Sequence, residues 1–289
     1  MKAEPIFDIK PIHGEGPIWC PIEEKFYCVD LLKGSYFKVD YKTGHSKEFN
    51  VGQELGVMAL CENGKIVTGV RDGFGIYDER TNELKLIKDS PEMDVKERRM
   101  NDGAVDPKGR FFAGTMEYNG ANPTGNLYCL HLDHSVALLE QNIYITNGMG
   151  WSPDYRTYYM IDTMRNVMYA YDYNAETARI SNRREHIQWR KDEFPDGMTI
   201  DADGGFWVAM WEGNKVSHFD AEGDWVEDIY VPVHHVTSCC FGGKNKNILF
   251  ITTSRLNLTE KEQKENPLAG RCFGLETNTK GQIEPRFKG

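Results

Sequence analysis

A turn followed by a short aromatic strand recurs along this chain, and that recurrence constrains the fold more than any other feature. FYCVD (26–30), FFAGT (111–115), YYMID (158–162), FWVAM (206–210) and LFITT (249–253) are variants of one segment. Turns such as Asp106-Pro107-Lys108-Gly109, Ser152-Pro153-Asp154 and Asp201-Ala202-Asp203-Gly204 stand before them. Gly and Asn tolerate positive φ, and Pro presets a negative one, so these residues turn a chain sharply. A Gly-containing strand comes first, and two further strands follow the aromatic one. The unit is therefore four strands in roughly 35–50 residues, a period and content that read as a propeller blade. About six units fit in 289 residues, which predicts an all-β, six-bladed propeller forming a single domain over residues 1–289. A parallel α/β fold would need an amphipathic helix between successive strands. The one helix expected is at 259–266, capped by Thr259 and stopped by Pro267. Residues 4–10 are expected to add an outer strand to the last blade and close the ring, and 282–285 to form a short final strand.

Composition narrows the function classes. The hydrophobic fraction of 40% with 12% aromatics is ample for a core, and the net charge of -10 leaves no basic surface to neutralise phosphates. No nucleic acid and no membrane partner is expected. No run approaches the roughly 18 apolar residues of a membrane span, and the first residues, Met-Lys-Ala-Glu-Pro, are not an apolar signal segment. Seven cysteines without a Cys-x-x-Cys pair suit small buried strand residues in a reducing, cytoplasmic setting. Asn257-Leu258-Thr259 matches a glycosylation sequon, a tripeptide that arises easily by chance. Nothing in the chain demands more than a monomer.

The chemistry is expected where the repeats depart from one another. At or just before the first strand of four units stand His13-Gly14-Glu15-Gly16, Arg99-Met100-Asn101-Asp102-Gly103, Thr146-Asn147-Gly148 and Phe194-Pro195-Asp196-Gly197. Each Asn-Gly or Asp-Gly pair alone reads as an ordinary turn. Four at one phase of the repeat place Glu15, Asn101, Asn147 and Asp196 together at one end of the channel. Two carboxylates and two amides are oxygen donors, the set that suits Ca²⁺, Mg²⁺ or Mn²⁺. Glu15 and Asp196 held close would repel, and a divalent ion would cancel both charges. Arg99 is a candidate to grip a substrate oxygen. No Gly-x-Ser-x-Gly elbow and no dinucleotide-binding glycine motif is present.

These residues, with residues 103–116, Trp151-Ser152-Pro153-Asp154, 180–184 and Thr237-Ser238-Cys239-Cys240-Phe241-Gly242-Gly243, resemble the senescence marker protein (regucalcin), gluconolactonase and luciferin-regenerating enzyme family over nearly the whole chain. The resemblance implies a six-bladed propeller that hydrolyses sugar lactones with one divalent metal, Ca²⁺ foremost, with Zn²⁺, Mg²⁺, Mn²⁺ and Fe²⁺ as the other candidates. It implies Glu15, Asn147 and Asp196 as metal ligands, Asp196 as general base, and Arg99 and Asn101 as substrate contacts. Some members hold sugar hydroxyls with a Glu shortly after the Gly-Thr-Met segment. Here Asn119 stands at that place and Glu117 two residues before it, and both are candidates. Gly16 stands where many members have Ser. Two other readings are a paraoxonase-like or phosphotriesterase-like hydrolase and a calcium-binding propeller without turnover.

Overall fold

A computed structural model describes residues 1–89, 91 and 97–289. It contains six four-stranded antiparallel sheets. Five are built from consecutive strands, as in the third blade, where Arg98–Val105, Phe111–Glu117, Gly125–Leu130 and Val136–Ile143 run from the axis outward. The sixth combines both ends of the ring. Val236–Gly242, Ile248–Thr253 and Phe273–Glu276 come from the C-terminal part, and Glu4–Pro5 supplies the outermost strand. Glu4 pairs with Gly274 and Pro5 with Phe273. The N-terminal strand thus closes the ring as expected, though it is two residues long. Deletion of residues 1–10 is expected to give an insoluble or low-melting protein, since it also strips Phe7 and Ile9 from the seam between first and last blades. A deletion variant that melts like the full chain would refute this.

The core explains why the middle strands read as unbroken apolar runs. Each sheet is covered on both faces by its neighbours, so both faces of a middle strand are buried. Phe111–Glu117 is buried at every position but the last. Six apolar clusters lie between adjacent blades. At the closing seam Phe250 lies 5.3–5.8 Å from the rings of Phe7, Trp19, Phe26 and Tyr41. All seven cysteines are buried and unpaired. Among the described residues no helix is long and apolar enough to cross a membrane. The one expected helix is present as Glu260–Glu265, with Thr259 and Glu262 forming a reciprocal capping box.

Residues 282–285 form no strand. The edge they would extend is already taken by Glu4–Pro5, so the tail instead crosses the far end of the channel and touches every blade. Lys280 O accepts from Ala202 N, Gly281 N donates to Lys246 O, and Gln282 Nε2 donates to Trp151 O. Arg286 reaches Cys20 Sγ, Phe287 pairs with Leu60 and Glu62, and Lys288 N donates to Gly109 O. Phe287 is fully buried between the second and third blades.

Candidate active site

The six inner strands share one irregularity. Each slips register against its neighbour near its start: between Glu15 and Ile18, Leu55 and Val57, Met100 and Gly103, Asn147 and Met149, Pro195 and Met198, and Val236 and Ser238. A bulge re-aims side chains that regular pleating would send into the sheet interface. The polar residues picked out from the sequence sit at these bulges. They are therefore inside the inner strands, not in loops that enter them. In the third blade the strand begins at Arg98, five residues before the Gly103 start expected from the sequence. Gly16 has φ 46°, a left-handed conformation that glycine takes freely. At Gly148 a Cβ would lie 2.8 Å from Asp196 O, so only glycine lets the fourth and fifth inner strands approach this closely.

Glu15, Asn147 and Asp196 are each more than nine-tenths buried. Burial and the neighbouring Asp196 and Asp102 carboxylates push Glu15 well above the usual carboxylate range. Burial and Asp102 do the same to Asp196, against which the Asn147 amide acts in the opposite direction. Asp102, to which the sequence assigns no role, is a member of this acidic group. Burial raises it to about 6, although it accepts a 2.7 Å bond from Gly103 N. Three carboxylates thus share one end of the channel.

The Asn147 amide has a defined orientation. Thr163 Oγ1 donates to Pro195 O at 2.8 Å, so it accepts from Asn147 Nδ2 at 3.0 Å. That turns Asn147 Oδ1 the other way, where it is buried without any hydrogen-bond partner. A buried acceptor left unpaired is costly. On a side chain that neighbours the Asp196 carboxylate, an unpaired oxygen fits a hard cation. Among the described residues no three His, Cys, Asp or Glu side chains form a metal cluster by themselves. A cation here would rest on Glu15 and Asp196 completed by the Asn147 amide, with other positions left for water or substrate.

Arg99 and Asn101 form a connected pair. Arg99 Nη1 donates to Met100 O at 3.0 Å and to Asn101 Oδ1 at 2.6 Å, and Asn101 Nδ2 donates to Thr146 O at 2.9 Å. Asn101 therefore spends its amide on fixing Arg99 against the fourth blade. Arg99 Nε is buried with no partner. Glu117 and Asn119 are placed differently. Glu117 accepts from Asn122 and Thr124, and Asn119 accepts from Ala121 N, so both serve their own loop. Tyr118 between them reaches the site instead. Its ring centroid is 5.9 Å from Arg99 Cζ, and its hydroxyl donates to the Glu54 carboxylate.

Glu54 and Tyr118 escaped the sequence reading, as did Trp211 and His235, and His13 stood in a quoted motif without a role. His13 Nδ1 is 2.9 Å from Ser254 Oγ, and its ring meets Trp211 edge-on at 5.9 Å. Burial, with Arg99 and His235 nearby, pushes His13 down to about 3 and keeps it neutral. His235 stacks on Trp211 at 4.0 Å. A signal was available: His13, Glu54 and His235 are each the residue immediately before an inner strand. Beneath the acidic group the channel encloses about 590 Å³, lined from Gly16 and Asp102 at one end to Pro285 and Arg286 at the other. This cavity is mostly apolar in lining, and the polar chemistry lies at its opposite mouth from the C-terminal tail.

Comparison with known proteins identifies the family. The profile of the SMP-30/Gluconolactonase/LRE-like region matches residues 13–255. A Bacillus subtilis protein that carries the name sugar lactone lactonase YvrE is 32% identical over 98% of this chain and 97% of its own. Regucalcin of Gallus gallus is 34% identical over 91% of this chain and 90% of its own. The crystal structure of a calcium-binding protein, regucalcin, from Agrobacterium tumefaciens superposes with a TM-score of 0.94 at 25% identity, covering 100% of this chain and 98% of that one. The repeated bulges, the acidic channel mouth and this full-length similarity place the chain in the SMP-30/gluconolactonase/LRE-like family.

Proposed function

We propose that the protein hydrolyses sugar lactones such as glucono-1,5-lactone to the aldonic acid, using one divalent cation held by Glu15, Asn147 and Asp196. The observation that carries this reading is the buried, unpartnered Oδ1 of Asn147, a side chain that neighbours the Asp196 carboxylate. The cation, when bound, acts as a Lewis acid that favours negative charge developing on the lactone oxygen. The chain's own residues supply the rest. The Arg99 guanidinium, fixed by Met100 O and Asn101, grips an oxygen of the lactone and holds the ring in one orientation. Asp196 accepts the proton of the attacking water and returns it to the ring oxygen as the ester bond opens. The names of the Bacillus subtilis relative and of the family support a lactone as substrate. Calcium as the resident ion is supported by the name of the Agrobacterium tumefaciens structure.

The test is proton release from glucono-1,5-lactone by protein stripped with chelator and then given each divalent metal in turn, against the spontaneous rate. Metal-dependent acceleration is the expected result. No acceleration with any metal, across glucono-, galactono- and five-carbon lactones, would reject the reading in favour of a calcium-binding propeller without turnover or a phosphotriester hydrolase.

A further inference from the structure

Tyr118 is an exposed aromatic ring at the rim of a polar site, and its position is over-determined. It is 41% exposed, yet its hydroxyl is tied to Glu54 on the second blade, and Arg99 lies against its ring. Arg99 is pushed down by burial and held up by Tyr118 and Glu54 on one side and by Glu15 and Asp196 on the other. The guanidinium is thus within reach of both the ring and the acidic group. A hydroxyl spent on Glu54 turns no donor toward a ligand, which leaves the ring as the part of Tyr118 that a ligand can use. The two polar side chains that flank it, Glu117 and Asn119, are occupied within their loop.

We propose that Tyr118 is a specificity-determining residue: its face is a platform for the C–H face of a pyranose-sized lactone ring whose oxygens are turned toward Arg99. Glu54 is a positioning residue that fixes the tilt of that platform. This rests on the lactonase reading for its substrate and adds to it a preference for rings with one apolar face. Aromatic rings in ligand pockets supply contact area and orientation with little entropy to lose.

The test compares Tyr118→Ala, Tyr118→Phe, Glu54→Ala and Glu54→Gln in the metal-loaded protein. On glucono-1,5-lactone, Tyr118→Ala is expected to raise KM about tenfold, equivalent to about 1.4 kcal/mol, with kcat within about twofold of wild type. Tyr118→Phe keeps the ring and is expected to keep KM within about twofold. Glu54→Ala raises KM, and Glu54→Gln, which retains an acceptor for the hydroxyl, restores it. A second arm titrates 1,5-anhydroglucitol, a pyranose ring with no lactone to hydrolyse, by tryptophan fluorescence. Its Kd is expected to weaken about tenfold in Tyr118→Ala. This arm stands even if the wild-type protein hydrolyses no lactone, a failure that would belong to the functional reading alone. If Tyr118→Ala melts abnormally, Tyr118→Leu replaces it. An unchanged KM and Kd in Tyr118→Ala would overturn the proposal. So would a Tyr118→Phe variant as impaired as Tyr118→Ala, which would make the hydroxyl tie a latch between blades and nothing more.

Discussion

Asp196→Ala is expected to lower kcat on glucono-1,5-lactone by about 10³-fold or more, or about 4 kcal/mol of barrier. The size follows from two losses at one position. The side chain is the proposed proton acceptor, and it is one of the two carboxylates in the proposed metal-binding set with the Asn147 amide. Removing it leaves Asn147 Oδ1 still buried and unpaired. The fold should persist, because the Asp102 carboxylate of the third blade repels Asp196 and the substitution relieves that repulsion. The informative comparison is Asp196→Asn, which keeps shape and an oxygen but not the charge. It should bind metal weakly and turn over no faster than the alanine variant. Proton release at saturating metal, with thermal melts in parallel, is the measurement. A kcat within tenfold of wild type at a normal melting temperature would remove Asp196 from the chemistry.

The largest expected effect on stability is far from the site, at Asp106. This fully buried carboxylate accepts from Lys108 N at 2.9 Å and from Arg110 N at 2.8 Å, which holds the turn. It also accepts from Arg110 Nε at 2.5 Å and from the Tyr173 hydroxyl of the fourth blade at 2.6 Å. Arg110 in turn donates to Ala175 O at 2.6 Å and Glu176 O at 3.2 Å. The network therefore pins the third blade to the fourth. Asp106→Ala would leave the Arg110 guanidinium buried without its counter-charge. Breaking a buried pair in this way costs about 3–5 kcal/mol, which for a chain of this size lowers the melting temperature by about 10 °C. Asp106→Asn, which can still accept from the turn amides, should lose less. Arg110→Met in the Asp106→Ala background should recover part of the loss, since no charge then remains to be paired. Chemical denaturation of the four proteins decides it. A loss under about 1 kcal/mol in Asp106→Ala would show that solvent reaches Arg110 and that the network is peripheral.

Particular residues show where sequence reasoning reached and where it stopped. The blade count was legible because a middle strand sandwiched between neighbouring sheets must be apolar on both faces and must be bounded by turns. That requirement repeats in plain letters, as in FFAGT and FWVAM. Glu15, Asn101, Asn147 and Asp196 were legible because a polar residue recurring at one phase of a radial repeat can only gather near the axis. Thr259 and Glu262 announced the helix because their bonds are local in sequence.

Contacts between blades were not legible. Whether Tyr118, Glu117 or Asn119 faces Arg99 depends on how one loop turns, and three adjacent polar residues look equally able to serve. The Glu54 hydroxyl partner lies 64 residues away. The fate of residues 282–285 depended on which end of the chain won the edge of the last blade, a competition between segments that no local pattern records. The bulges left only a recurring glycine, which reads equally well as an ordinary turn, yet they decide which side chains enter the channel. Sequence by itself determined the repeat, the turns and the identity of the polar residues, since these are set by periodicity and by backbone preferences of single residues. Only the tertiary structure decided which of those residues meet, because meeting depends on register, on loop direction and on packing across blades distant in the chain.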